Sequence, residues 1–209
     1  MVEPLGGPAY WWPFAAAFLV GYGLGSIPFG LLLTRWSGAG DIRRIGSGNI
    51  GATNVLRTGR KGLALATLLL DLAKGGLPTA LGYAWFGPDV AVLAGAGAIL
   101  GHCFPAWLGF RGGKGVATAA GVVLGLTPLA FVAILAAFVL VVATTRLVSL
   151  GSLVAAGLSP VAAWLMGDAQ AAELYLLVAA LVVLKHRDNI GRLLRGEESR
   201  VSFGGKPAA

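Results

Sequence analysis

The sequence predicts an all-α integral membrane protein of seven transmembrane helices, with its N-terminus periplasmic or extracellular and its C-terminus cytoplasmic. Three observations predict it. First, 56% of the 209 residues are hydrophobic and only 12% are charged, with a mean hydropathy of +0.79. A soluble domain of this size needs more charge to cover its surface. Second, the apolar residues come in continuous blocks of about twenty, as bilayer-spanning helices require, and they do not alternate as in a β-barrel. Third, one topology places every Lys and Arg on a single side of the membrane.

Charge and Gly/Pro punctuation bound the spans. They cover 14–33, 63–86, 90–108, 150–166 and 171–184, with the long apolar stretch 116–145 between the third and the last two. That stretch is long for one helix and short for two full ones. A single crossing puts the basic tail opposite the Arg-rich segment 35–61. A break at Thr127-Pro128, with two crossings, brings all sixteen basic residues to one side and leaves Glu3, Asp89, Asp168 and Glu173 on the other. The positive-inside rule selects the second arrangement, with a fourth span that is short, tilted or re-entrant. The first twenty residues hold no Lys or Arg and no A-x-A site follows, so no cleaved signal peptide is expected. The chain reads as one domain, 1–209, with a tail from about 199 expected to be disordered.

Composition also excludes several classes. The net charge of +7 flanks apolar spans, which points to topology rather than to nucleic acid. The single cysteine, Cys103, permits no intrachain disulfide and is read as packing. Two His and nine scattered acids suggest no metal site, and no cofactor is expected. Three GxxxG pairs, Gly21/Gly25, Gly97/Gly101 and Gly121/Gly125, are read as close packing within the chain and not as a dimer seam. The oligomeric state is open, with a monomer favoured.

Four polar segments carry candidate chemistry. The loop after the first span holds Gly46, Ser47, Gly48, Asn49, Gly51, Ala52, Thr53, Asn54 and Arg57. Glycines that reach positive φ, backbone N–H groups and an arginine fork suit a phosphate, although a flexible polar connector has the same composition. It lacks both the Walker A spacing and a Rossmann context. Next, Gly112, Gly113 and Gly115 surround Lys114, forming either an anion-wrapping turn or a topology-fixing one. Ser149 opens a span and is either a helix N-cap or a site residue. His186 and Asn189 share a face where the last span ends, followed by a short amphipathic basic piece suited to the interface. Asp71 and Lys74, at i,i+3 within a span, are expected to pair, for function or for structure.

Together these residues resemble the bacterial membrane glycerol-3-phosphate acyltransferases that use acyl phosphate as donor. The matching residues are Gly46 to Asn54 with Arg57, Asp71 with Lys74-Gly75, Gly101-His102, Pro105, Phe110, Gly112 to Gly115, Ser149 to Gly151, and His186, Asn189-Ile190 and Arg192. The likeness runs from about Gly25 to Glu198, with Arg111 where many members carry Lys. It implies transfer of a fatty acyl group from acyl phosphate to the 1-hydroxyl of sn-glycerol 3-phosphate, giving lysophosphatidic acid and phosphate for phospholipid synthesis. It implies seven helices in the bacterial inner membrane, with the active site on the cytoplasmic side. Among the residues, it implies that Ser47, Arg57, Lys114, His186 and Asn189 are catalytic. The remaining loop residues, Gly112, Gly113, Gly115 and Ser149 would bind substrate. The His-x4-Asp pair of soluble acyltransferases is absent, since Trp107 and Gly191 stand where Asp would follow His102 and His186. The resemblance further implies that a substrate phosphate oxygen takes the hydroxyl proton, with His186 orienting glycerol 3-phosphate.

Two other readings share the composition. An organophosphate or anion transporter needs basic residues toward the outer face, where the topology leaves only acids. A scaffold gripping anionic headgroups needs no chemistry at all. A CDP-alcohol phosphotransferase would need clustered carboxylates, and the inner-face acids Asp41, Asp71, Asp188, Glu197 and Glu198 form no D-x-x-D cluster.

Overall fold

A computed structural model describes residues 11–201, and among these the regular structure is helical throughout. The helices are α1 (Trp12–Gly25), α2 (Phe29–Trp36), α3 (Ala52–Leu56), α4 (Lys61–Phe86), α5 (Pro88–Cys103), α6 (Val116–Leu126), α7 (Pro128–Thr145), α8 (Val148–Leu165), α9 (Ala169–Lys185) and α10 (Arg187–Leu194). Five stretches are long and apolar enough to cross a membrane: 12–36, 61–86, 88–108, 128–145 and 148–165. A sixth arises if α9 and α10, bent by 64°, count as one. α6 has only 11 residues, about 16 Å of helix against a hydrocarbon core of about 30 Å. Leu69, Leu129, Leu140 and Leu177 are all more than half exposed, an apolar surface that lipid rather than water solvates.

Prolines set the punctuation, as the missing N–H costs nothing at a first turn. Pro88 opens α5 after Gly87 at φ +87, and Pro128 opens α7 after the break at Thr127. Pro160 lies inside α8. There Ser159 Oγ donates to the Ala156 carbonyl that Pro160 leaves without its usual N–H, at 2.9 Å. The first span is also interrupted, at Ser26-Ile27-Pro28 between α1 and α2.

The chain divides into two compact units, 1–128 and 129–209. In the first, α5 lies at the centre, with eleven of its sixteen residues buried. The glycine pairs set its packing. A Cβ at Gly21 or Gly25 would strike the α5 backbone at Ala94 or Ala98, and one at Gly97 or Gly101 would strike α1 at Phe18 or Tyr22. Gly121 meets Leu72 of α4, and Gly125 meets Gly76. All three pairs therefore serve backbone approach within the chain. Beneath the polar loop, Leu31, Ile42, Ile50, Val55 and Ala64 form a buried cluster that pins residues 42–56 onto α2 and α4. In the second unit α8 packs on α9, while α7 buries only Ala130 and Val142. Val201 N–H donates to the Arg146 carbonyl at 2.9 Å, and most of the tail expected to be disordered lies beyond it. Glu3 and Lys206, used in the charge count, lie outside the described residues, as does 202–209.

Candidate active site

In the first unit, the loop before α3 is organised by one side chain. Asn54 is 2% exposed, and its Nδ2 donates to the carbonyls of Ile42, Ile45 and Asn49 at 3.1, 2.9 and 2.8 Å. Its Oδ1 accepts from Ser47 N at 3.1 Å, with Arg57 Nη1 at 3.5 Å. The Asn54 amide is thus committed to the loop's own backbone. Several expected nest amides are committed too: Ser47 N to Asn54, Gly48 N to Ile45 O at 3.0 Å, and Gly51 N to Asn49 Oδ1 at 2.8 Å. Gly46 and Gly48 take the expected positive φ, +55 and +69, but Gly51 does not, at φ −84. Ser47, Thr53 and Arg57 are exposed and Ala52 is partly so. Arg57 folds back over Gly46, where a Cβ would lie 2.8 Å from its Cδ and 2.9 Å from Nη1. Thus Arg57 and the Gly46-Ser47 turn stand side by side. Before the loop, Asp41 caps a short 3₁₀ turn and binds Arg35 and Arg43 at 2.8 and 2.6 Å. Those two guanidiniums hold its carboxyl far below the usual carboxylate range.

The turn carrying Lys114 rests on α5. Gly112 N donates to Cys103 O at 3.2 Å and Gly113 N to His102 O at 3.0 Å, so these amides cap the end of α5. A Cβ on Gly113 would overlap the His102 ring, while Gly115 reaches φ +84 as the N-cap of α6. Glycine at 112 and 113 is thus explained by close packing. Lys114 itself is partly buried.

His102 packs beside a buried ion pair. Lys74 Nζ lies 2.7 Å from Asp71 Oδ1, and His102 Nδ1 lies 3.7 Å from the same oxygen. Lys74 also donates to the Ile27 carbonyl at 2.8 Å and stands 5.6 Å from the Phe29 ring. The expected Asp71–Lys74 pair is present. Its neighbour His102, on another helix, has no signature in the spacing.

In the second unit, Ser149 lies inside the first turn of α8, whose N-cap is Leu147, so the N-cap alternative does not apply. His186 is 3% exposed and sits at the α9–α10 bend, its Nδ1 2.8 Å from Val182 O. A carbonyl only accepts, so Nδ1 carries the proton and a neutral ring presents Nε2 as an acceptor. Asn189 Nδ2 donates to Glu198 Oε1 at 2.5 Å, and Arg192 Nε to Oε2 at 2.6 Å. Ser149 is near enough to favour the same carboxylate, outside good hydrogen-bond geometry. Burial works to raise the Glu198 pKa, but Asn189, Ser149 and Arg192 outweigh it and hold the carboxyl below its ordinary 4.5. Sequence reasoning missed Glu198. The only clue is Gly196, whose φ of +72 ends α10 and turns the chain back.

Fold and loops define an all-helical, multi-pass integral membrane protein with clustered hydroxyl, amide and guanidinium groups. Residues 15–196 match the family model described as glycerol-3-phosphate acyltransferase. Glycerol-3-phosphate acyltransferase of Methylorubrum populi is 53% identical over 191 residues, covering 91% of this chain and 94% of its own. That of Agrobacterium fabrum is 52% identical over 187 residues, 90% of this chain and 91% of its own. The crystal structure of PlsY (YgiH), an integral membrane glycerol 3-phosphate acyltransferase, in its glycerol 3-phosphate form superposes with a TM-score of 0.85 at 35% identity, covering 93% of this chain and 96% of that one. Its lysophosphatidic acid form gives 0.84 at 34%, covering 90% and 95%. The chain belongs to the glycerol-3-phosphate acyltransferase family and is an acyltransferase enzyme of phospholipid synthesis.

Proposed function

We propose that this enzyme transfers a fatty acyl group from acyl phosphate to the 1-hydroxyl of sn-glycerol 3-phosphate, releasing phosphate and lysophosphatidic acid. The observation that carries this reading is the family match across nearly the whole chain, beside a solved relative captured with glycerol 3-phosphate and with lysophosphatidic acid. The hydroxyl oxygen forms a bond to the acyl carbonyl carbon, the carbon–oxygen bond to phosphate breaks, and a phosphate oxygen takes the hydroxyl proton. Because phosphate leaves well from a mixed anhydride, positioning and charge stabilisation suffice.

The roles are assigned within each unit by itself. In the first, Ser47, Arg57 and Lys114 hold phosphate, with Gly46, Gly48, Asn49, Ala52 and Thr53 shaping the turn. Asn54, Gly112 and Gly113 act by holding that backbone. In the second, Ser149, His186 and Asn189 hold glycerol 3-phosphate. His186 Nε2 accepts from the glycerol hydroxyl and so orients it. The apolar groove of about 430 Å³ lined by Trp12, Val20, Leu24, Leu77, Leu81 and Trp85 suits an acyl chain or lipid tail.

The topology in this reading has seven passes, with the N-terminus outside and the polar loops cytoplasmic in the inner membrane. The break at Thr127 and the one-sided Lys and Arg support it. The intramolecular use of the GxxxG pairs supports a monomer. Purified protein given acyl phosphate and labelled glycerol 3-phosphate is expected to form lysophosphatidic acid. Binding or transport without a new ester overturns the reading. Lys114→Ala is expected to lose turnover while still expressing, and near-normal turnover removes Lys114 from the site.

A further inference from the structure

Lys74 stands midway along the 26-residue α4, where an ionised group needs a structural or functional reason. Its contacts trace a continuous path. Lys74 Nζ donates to the Ile27 carbonyl, which also accepts from Phe29 N where the chain breaks between α1 and α2, and pairs with Asp71 at 2.7 Å. Asp71 Oδ1 lies 3.7 Å from His102 Nδ1, and the far edge of that ring lies under Gly113. The side chains of Asp71, Lys74 and His102 are 3%, 3% and 4% exposed. Gly113 is bound to the His102 carbonyl at 3.0 Å, and Lys114 is the next residue.

Helix stability alone does not require this arrangement. The end of α5 is already capped by the Gly112 and Gly113 amides, and a smaller apolar residue at 102 would fill less of the space Gly113 leaves. The ring is instead a floor wedged between Asp71, 3.7 Å away, and Gly113, on which the backbone before Lys114 lies. Gly113 has no positive φ, so the ring is the obstacle to a side chain there.

We infer that Asp71, Lys74 and His102 form a positioning unit that sets the Gly112–Lys114 turn, and thereby the Lys114 ammonium, without touching substrate. This rests on the proposed role of Lys114. The geometry makes the 102–113 contact a size constraint that can be exchanged. Loss of the ring lets the turn drop, and a methyl at 113 lifts it.

The test uses 102 and 113, because changing Asp71 or Lys74 strands a buried partner and risks unfolding. His102→Ser and Gly113→Ala are each expected to lower kcat/KM at least tenfold in the acyl-transfer assay. Gly113→Ala with His102→Ser is expected to recover at least fivefold over Gly113→Ala alone. His102→Ser is also placed in Lys114→Arg, whose cation is already displaced. There it is expected to cost less than threefold more, since residues acting through one another are not additive. Equal fold-losses in both backgrounds, or no recovery in the folded double variant, overturn the inference. Near-normal Lys114→Ala would instead sink the underlying role of Lys114, and this positioning with it.

Discussion

Replacing Glu198 with Gln should loosen the end of the second unit by an amount the contacts allow to be worked out. The carboxylate accepts from Asn189 at 2.5 Å and Arg192 at 2.6 Å, with Ser149 nearby. Gln keeps the size and one acceptor but loses the charge and turns an amide toward a donor. A neutral hydrogen bond contributes about 1 kcal/mol and a charge-assisted one about 1.5–3 kcal/mol. The Arg192 side chain is 34% exposed, so solvent screening moves its share to the low end. The expected loss is about 1–2 kcal/mol, or about 2–8 °C in Tm for a chain of this length. A thermal unfolding scan in detergent measures it. Glu197→Gln is the control, because its pair with Arg195 is 59–60% exposed and should contribute nothing measurable. The sign with pH follows from the depressed Glu198 pKa. Its stabilisation is complete above the ordinary value of 4.5 and is lost as pH falls through the lower folded value. Glu198→Gln should flatten that acid limb. Equal Tm for the two variants, or an unchanged acid limb, would refute the assignment.

Two further outcomes follow from the first unit. Gly25→Ala should cost about 1–3 kcal/mol by overpacking, since its Cβ would fall 2.6 Å from Ala98 Cα, whereas Gly23→Ala, with nothing within 4 Å, should be neutral or slightly stabilising. Detergent melting of the pair decides, and equal shifts would contradict the α1–α5 contact. Asn54→Ala removes the Nδ2 contacts to three carbonyls and the acceptor for Ser47 N, while Ile42 O and Ile45 O keep the Ile45 and Gly48 amides, at about 1–3 kcal/mol. Hydrogen exchange across 42–57 should speed up and turnover should fall more than tenfold; unaltered exchange would show that Asn54 does not organise the loop.

What the amino-acid sequence determined on its own follows from the bilayer. Lipid offers no hydrogen bonds, so backbone polarity forces helices and side-chain apolarity marks their extent. The break at Thr127-Pro128, the α4 boundaries and the glycine pairs were therefore legible, because proline, charge and small residues act within a few positions of themselves. The segments that carry polar chemistry were legible as segments, from their glycine, serine and arginine content. The duties of single residues within them were not. Asn54 faces the loop's carbonyls, Gly113 yields to the His102 ring, and Glu198 returns to hold Asn189. Each depends on partners that chain reversal brings together, and hydrogen-bond and packing complementarity at a few ångströms leaves no periodic trace along the chain. Those partnerships were decided by the tertiary structure alone.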